Sequence, residues 1–227
     1  MTRPAPAREV LLDAAERLFA EHGIADVSDR RVAEAAGQKN HSAVRYHFGD
    51  REGLLRALIE RHLASLRDER VRLLEASESL LGDVRSLVLP VTSALAALPA
   101  PSWRARFMAR AHYQAGIAEL TQIGLGLGRL EREAGRSILA RLHHLTPAIA
   151  HGRLTIMTGM VIMTCADVER ATACDGTDPH WAGVGMFLAD AITGMLQAPS
   201  SLASDYPETA PETAPGPATR GVVPAPG

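Results

Sequence analysis

The sequence predicts an all-α protein in which a compact three-helix unit with a helix-turn-helix precedes a larger C-terminal helical domain. Three observations predict it. Aromatic residues make up only 4% of the chain while Ala and Leu abound, which favours helices over sheets. Apolar residues recur at helical spacing along most of the chain, and no alternating strand pattern competes with them. Glycines, prolines and capping residues punctuate the periodic segments where helices should start and stop. The expected divisions are a helix-turn-helix domain at residues 7–66, a regulatory and dimerisation domain at 67–198, and a Pro-rich tail at 199–227.

The first helix is expected from Ala7 to His22, with Val10, Leu11, Ala14, Ala15, Leu18 and Phe19 on one face. Gly23 ends it. Ser28 can cap a second helix from Asp29 to Ala36, whose inner face is Val32, Ala33 and Ala36. Gly37 ends that helix. A third, starting near Asn40 or His41, stops at Gly49, and Asp50 caps a longer fourth that carries Leu54, Leu55, Leu58, Ile59, Leu63 and Leu66. Later helices are expected at 83–98, 103–114, 120–145, 147–174 and 179–197, with breaks at Pro99, Pro101, Ala115-Gly116, Pro147 and DGTDP. From Pro199 the chain holds seven prolines and little to bury, so the tail is expected to be disordered.

The third helix is unusual for its polarity. In GQKNHSAVRYHFGDREG, residues 37–53, only Val44 and Phe48 look ready for a core. Helix two, the turn at 37–39 and helix three together read as a helix-turn-helix, whose second helix enters the major groove while the first braces across the backbone. Arg pairs with guanine, Asn with adenine, and an Ala methyl meets thymine, while Tyr, His and Ser hold phosphates. The candidate DNA contacts are Ser28, Arg30, Lys39, Asn40, His41, Ser42, Ala43, Arg45, Tyr46, His47 and Arg51. Charge agrees locally. From Arg30 to Arg56 six basic residues face three acidic ones, although the whole chain carries a formal net charge of -2. The expected partner is therefore double-stranded DNA, bound through a patch and sensitive to salt.

Residues 9–63 resemble the N-terminal domain of the TetR (tetracycline-repressor) family of transcriptional regulators, through LFAEHG, RRVAEAAG and YHFGDREGLL. The resemblance implies that Arg30 reaches DNA from the start of helix two and that His41, Ser42 and Ala43 read bases. It further implies that Tyr46 and His47 meet bases or phosphates, and that Arg51 stands in for a phosphate-binding lysine. Two features depart from the family pattern. The GQKN turn is one residue longer than usual, and Arg45 replaces a common tyrosine. The implied activity is that of a ligand-responsive repressor binding a palindromic operator.

One helix-turn-helix buries too little surface for tight binding, so a homodimer across two half-sites is expected. Its candidate interface is the last helix, through Trp181, Val184, Leu188, Ala191 and Met195. Trp103, Phe107, His112, Met157 and Met160 gather aromatic and soft side chains suited to a small apolar or amphipathic effector. No cofactor or metal site is expected: the chain lacks HExxH, a phosphate loop, a nucleophile elbow and clustered carboxylates, so it is not read as an enzyme. Cys165 and Cys174 are too few for a disulfide scaffold. The uncharged apolar run from Leu154 to Ala166 falls short of a bilayer span of roughly 20 residues. A cytoplasmic location without membrane attachment is expected.

Overall fold

The helix ends lie where caps and glycines put them. The computed structural model describes residues 6–112 and 127–201. Expectations for the tail, for the 115–116 break and for the start of the 120–145 helix fall on residues 202–227 and 113–126, outside the described residues. Helix α1 spans Ala7–His22 and stops at Gly23, whose φ of 95° suits glycine. Helix α2, Asp29–Ala35, is capped by Ser28, whose hydroxyl accepts from the Arg31 amide at 3.2 Å; such a cap contributes about 1 kcal/mol. Helix α3 is only Ala43–Phe48. It starts later than expected because the Asn40 side chain accepts from the Ser42 amide at 2.9 Å, an Asx turn that holds residues 40–42 outside the helix. Helix α4, Arg51–Glu75, begins at its Asp50 cap.

The body continues with α5 (Leu80–Ala96), α6 (Arg104–His112), α7 (Leu127–Arg141), α8 (Pro147–Asp175) and α9 (Trp181–Gln197). Helix α5 begins ahead of the expected Asp83 because the Ser79 hydroxyl accepts from the Gly82 amide at 3.0 Å. Among the described residues there is no strand. The expected boundary at residues 66–67 falls inside α4, which runs through it unbroken.

Two cores form. In the first, Leu11, Leu12, Phe19, Val32, Val44, Leu54 and Leu58 of α1 to α4 close around Phe107 and Ala111 of α6. The Phe19 and Phe107 rings lie 6.2 Å apart. The second joins α5, α7, α8 and α9 through residues such as Val84, Val88, Ile138, Leu142, Leu188 and Ile192. Helix α6 thus completes the amino-terminal unit on one face while packing against α8 on the other. Its first turn is held by buried Glu169 of α8, whose carboxylate accepts from the Ala105 amide (3.2 Å), the Arg106 amide (2.9 Å) and the Ser102 hydroxyl (2.7 Å). Those bonds offset the cost of burying a carboxylate.

Candidate nucleic-acid interface

Helix α3 is anchored by two side chains and turns the rest outward. Val44 is fully buried and Phe48 packs against the first core, with the Arg8 guanidinium over its ring at 5.2 Å. His41, Ser42, Arg45 and Tyr46 are exposed, Tyr46 to 80%, and His47 is half-buried with its ring edge-on to Tyr46 at 5.0 Å. A phenol left in water to that extent gains nothing for the fold. Ser28, Arg30, Lys39 and Asn40 are exposed beside these residues. The structure therefore gathers on one side the residues of α2, the turn and α3 that the sequence singles out, with two exceptions.

Ala43 is one. Only 5% of it is exposed, so its methyl packs inward with Val44 and cannot meet a base. Arg51 is the other. Its guanidinium donates to Asp29 at 2.8 Å and to the Ile24 carbonyl, and lies over the Phe19 ring at 4.8 Å. Those partners fasten the start of α4 to α2 and to the loop before it, and leave the group little reach for phosphate. Asn40 is partly committed as well, since its side-chain oxygen makes the turn.

The remaining charges are unequally free. Arg30 bonds Glu34 at 2.8 Å, Arg31 meets His22 at 2.9 Å, and Arg56 bonds Glu52 at 3.2 Å. Lys39 and Arg45 make no ion pair among the described residues, so they are the cations best placed for phosphate or a base edge. The sequence reading passed over Glu34. Its spacing of four residues from Arg30 on one helix was the available signal.

The expected effector residues do not meet in one pocket. Phe107 is fully buried in the first core, whereas Met157 and Met160 belong to the second. Trp103 is half-buried and donates its indole N–H to Glu21 at 3.2 Å; His112 is exposed. A cleft of about 950 Å³ lies elsewhere, between the end of α5, the loop after it, the end of α8 and the start of α9. Leu98, Pro101, Ser102, Glu169, His180 and Trp181 are among its walls. None of the five expected residues lines it. Aromatic and Met spacing marked cores, and no local signal marks a cleft built from loop ends.

The expected interface stripe on α9 also points inward. Trp181 and Leu188 are buried, and Val184, Ala191 and Met195 are part-buried, with Val184 and Met195 packed on the second core. Other large apolar side chains are exposed: Met186 (42%) and Phe187 (67%) on α9, and Ile156 (55%) and Met163 on α8. Gly152, Gly159, Gly183 and Gly194 on the same two helices have nothing within 4 Å of a built Cβ. Helix α8 is moreover long and apolar enough to cross a membrane by length and composition, with 22% of that window buried. Counting the uncharged run alone missed this. Both Arg153 and Glu169 of α8 are nevertheless used inside the protein, Arg153 donating to the Met195, Leu196 and Ala198 carbonyls at the end of α9.

Comparison with known proteins agrees with this arrangement. Residues 11–58 match the family model described as bacterial regulatory proteins, tetR family. The chain is 41% identical over 64 residues to the HTH-type transcriptional repressor AcnR of Corynebacterium glutamicum, a stretch covering 28% of this chain and 34% of that one. The AcnR of Corynebacterium diphtheriae is 39% identical over 59 residues, covering 26% and 30%. The match thus spans about a third of the length of these relatives. A Shewanella sp. PV-4 protein described as a tetR family transcription regulator shares the fold with a TM-score of 0.60, 16% identity, and coverage of 85% of this chain and 96% of its own. A TetR-family regulator from Rhodococcus sp. does so with a TM-score of 0.51 and 16% identity, over 83% of this chain and 100% of its own. Residues 11–58 are thus similar to the tetR family of bacterial regulatory proteins, and the helical body shares the fold of the two solved structures.

Proposed function

We propose that the chain is a transcriptional repressor that binds a palindromic DNA operator as a homodimer and releases it when a small amphipathic effector binds. One observation carries the reading. Helix α3 is fixed by buried Val44 and packed Phe48, while Arg45, Tyr46 and the neighbouring Lys39 stand outward without partners that the fold requires. A helix anchored on one side and polar on the other suits a major groove. The relatives that match this segment are described as transcriptional repressors. On this reading the protein acts in the cytoplasm and works by binding rather than catalysis.

Two further features support the finer parts. The glycine-rich apolar face of α8 and α9 suits a second copy of the chain, since small residues let helices approach closely and such exposed patches mark association surfaces. The cleft beside Glu169 suits the effector, because Leu95, Leu98, Pro101, Pro179 and Trp181 give it apolar walls, with Ser102, Thr172 and Glu169 as polar handles. Glu169 also holds the first turn of α6, and α6 packs into the amino-terminal core. A ligand that drew on the Glu169 carboxylate would thereby act on the DNA-binding unit; coupling of this kind is typically about 1–3 kcal/mol.

The test is selection of bound duplexes from a random pool with the full chain. The expected result is an enriched palindrome whose half-sites are about 10 base pairs apart or a multiple of that. Binding that shows no sequence preference at low ionic strength would overturn the proposal.

A further inference from the structure

Two groups on the DNA-facing side converge on one carboxylate oxygen. Glu34 Oε1 accepts from Arg30 Nε at 2.8 Å and lies 3.8 Å from His41 Nδ1. The Arg30 and Glu34 side chains are 71% and 49% exposed, so their pairing adds little to stability. It is placed, however, between α2 and the turn that leads into α3. A carboxylate there repels the phosphates that surrounding cations attract.

We propose that Glu34 is a specificity-determining positioning residue, which aims Arg30 and holds a protonated His41 against DNA while discouraging non-specific duplex. The proposal rests on the DNA-binding reading above. Its physical content is a count of charge. With His41 neutral, Arg30 and Glu34 cancel and the trio offers phosphate no net attraction. With His41 protonated the trio carries one positive charge, shared around a carboxylate that fixes both cations in direction. The Arg30 Nε is bonded to Glu34. Its two terminal nitrogens remain to face the duplex as a fork. Only a duplex that accepts both aimed groups offsets the repulsion of the carboxylate.

The response to pH then has a defined source. The hydrogen bond from Arg30 and, after it, nearby positive charge hold the Glu34 carboxyl below its ordinary range, so Glu34 stays ionised wherever histidine titrates. On α2 the charged groups facing His41 are Glu34 and, through it, Arg30; along its own turn and on α3 the charged neighbours are Lys39 and Arg45. The other histidines nearby are placed differently. His22 meets Arg31 at 2.9 Å, and His47 lies against Tyr46. A phosphate brought to the trio meets one more positive charge when His41 is protonated.

The experiment measures affinity of the full chain, by titration at several salt concentrations and at pH 6 and pH 8, for its selected duplex and for a scrambled one. For the wild type, affinity for the selected duplex should fall about fivefold from pH 6 to pH 8, the effect of one charge at contact distance in a water-like medium. H41Q should abolish that change, and H180Q, just before α9, should keep it. E34Q should strengthen binding to scrambled duplex about fivefold and raise the log–log salt slope by about one, because Arg30 becomes free to meet phosphate. Its preference for the selected duplex should fall. Thermal melts of E34Q should match the wild type, since Glu34 is exposed. If no duplex is selected, the DNA-binding reading fails. If one is selected but E34Q keeps both preference and salt slope, or the pH response survives H41Q, this inference is wrong.

Discussion

Arg45 and Arg51 stand on either side of Gly49, and their surroundings give them different work. Arg51 is tied to Asp29, to the Ile24 carbonyl and to the Phe19 ring, whereas Arg45 is exposed and makes no ion pair among the described residues. R51A should therefore cost about 2 kcal/mol in urea unfolding, because charge-assisted bonds and a cation–π contact are lost together. R45A should leave stability within about 0.5 kcal/mol and reduce duplex affinity about tenfold. A stable R51A protein, or a destabilised R45A one, would reverse the assignment. His62 of α4 supplies a second residue-scale prediction. Burial first, then the Arg104 and Arg70 charges, push its pKa down to about 3, and its Nδ1 is buried without a hydrogen-bond partner among the described residues. An unfolded histidine titrates near 6.5. Between those values the unfolded chain binds the extra proton, so this stabilisation is complete above about pH 6.5 and is lost as pH falls toward 3. The slope from this one residue is up to about 1.4 kcal/mol per pH unit. H62L should make the stability profile between pH 4 and pH 6 shallower by one proton, and an unchanged slope would place the titration elsewhere.

Helices meet one another through features that sequence periodicity reveals only in part. The ends of α1, α2 and α8 were legible because Gly23, Ser28 and Pro147 act on neighbours within one turn. The start of α3 was not, since Asn40 can enter a helix or make an Asx turn and the choice depends on the packing of Ala43 and Val44. The outward residues of the interface were legible as polar side chains without a core to fill, but Ala43 carries no polarity to reveal its direction. On α9 the spacing of Trp181, Val184, Leu188, Ala191 and Met195 identified an apolar stripe correctly. It could not say whether that stripe met the chain's own core or a second copy, and α5 took it. The crossing of α5 and α9 is close at Gly185, where an added Cβ would lie 2.4 Å from Thr92 Oγ1 and 3.0 Å from Leu89 Cδ2. G185A should destabilise the protein by about 1–3 kcal/mol through overpacking. Gly135, on α7, has nothing within 4 Å of a built Cβ. G135A should instead stabilise by about 0.5–1 kcal/mol, the helical preference of Ala over Gly. Thermal melts of the pair check this directly, since opposite signs are expected from the same substitution.

At the scale of the whole molecule, α8 makes two demands that one subunit meets incompletely. Its Glu169 end is bound to α6 and thereby to the amino-terminal core, while its Ile156 and Met163 face, with Met186 and Phe187 of α9, lies open. An exposed apolar face of this kind costs free energy in water, about 25 cal/mol per Å² of apolar surface. A bilayer and a second copy both would cover it. The buried Glu169 and the bonds from Arg153 to the end of α9 favour the second copy, because both charges are already spent on the packing of a bundle. A two-fold pair formed through α8 and α9 would also fix the separation of the two α3 helices, which a groove repeat of about 34–36 Å requires. Phe187 is the sharpest probe, being 67% exposed and thus dispensable to the subunit core. F187R should sediment as a single chain at micromolar concentration where the wild type sediments as two. It should lose about a hundredfold or more in affinity for a palindrome while keeping its affinity for one half-site. A variant that stays paired would move the interface to another face; one that instead leaves detergent-free solution less readily than the wild type, with wild-type chains partitioning into vesicles, would assign the α8 face to lipid.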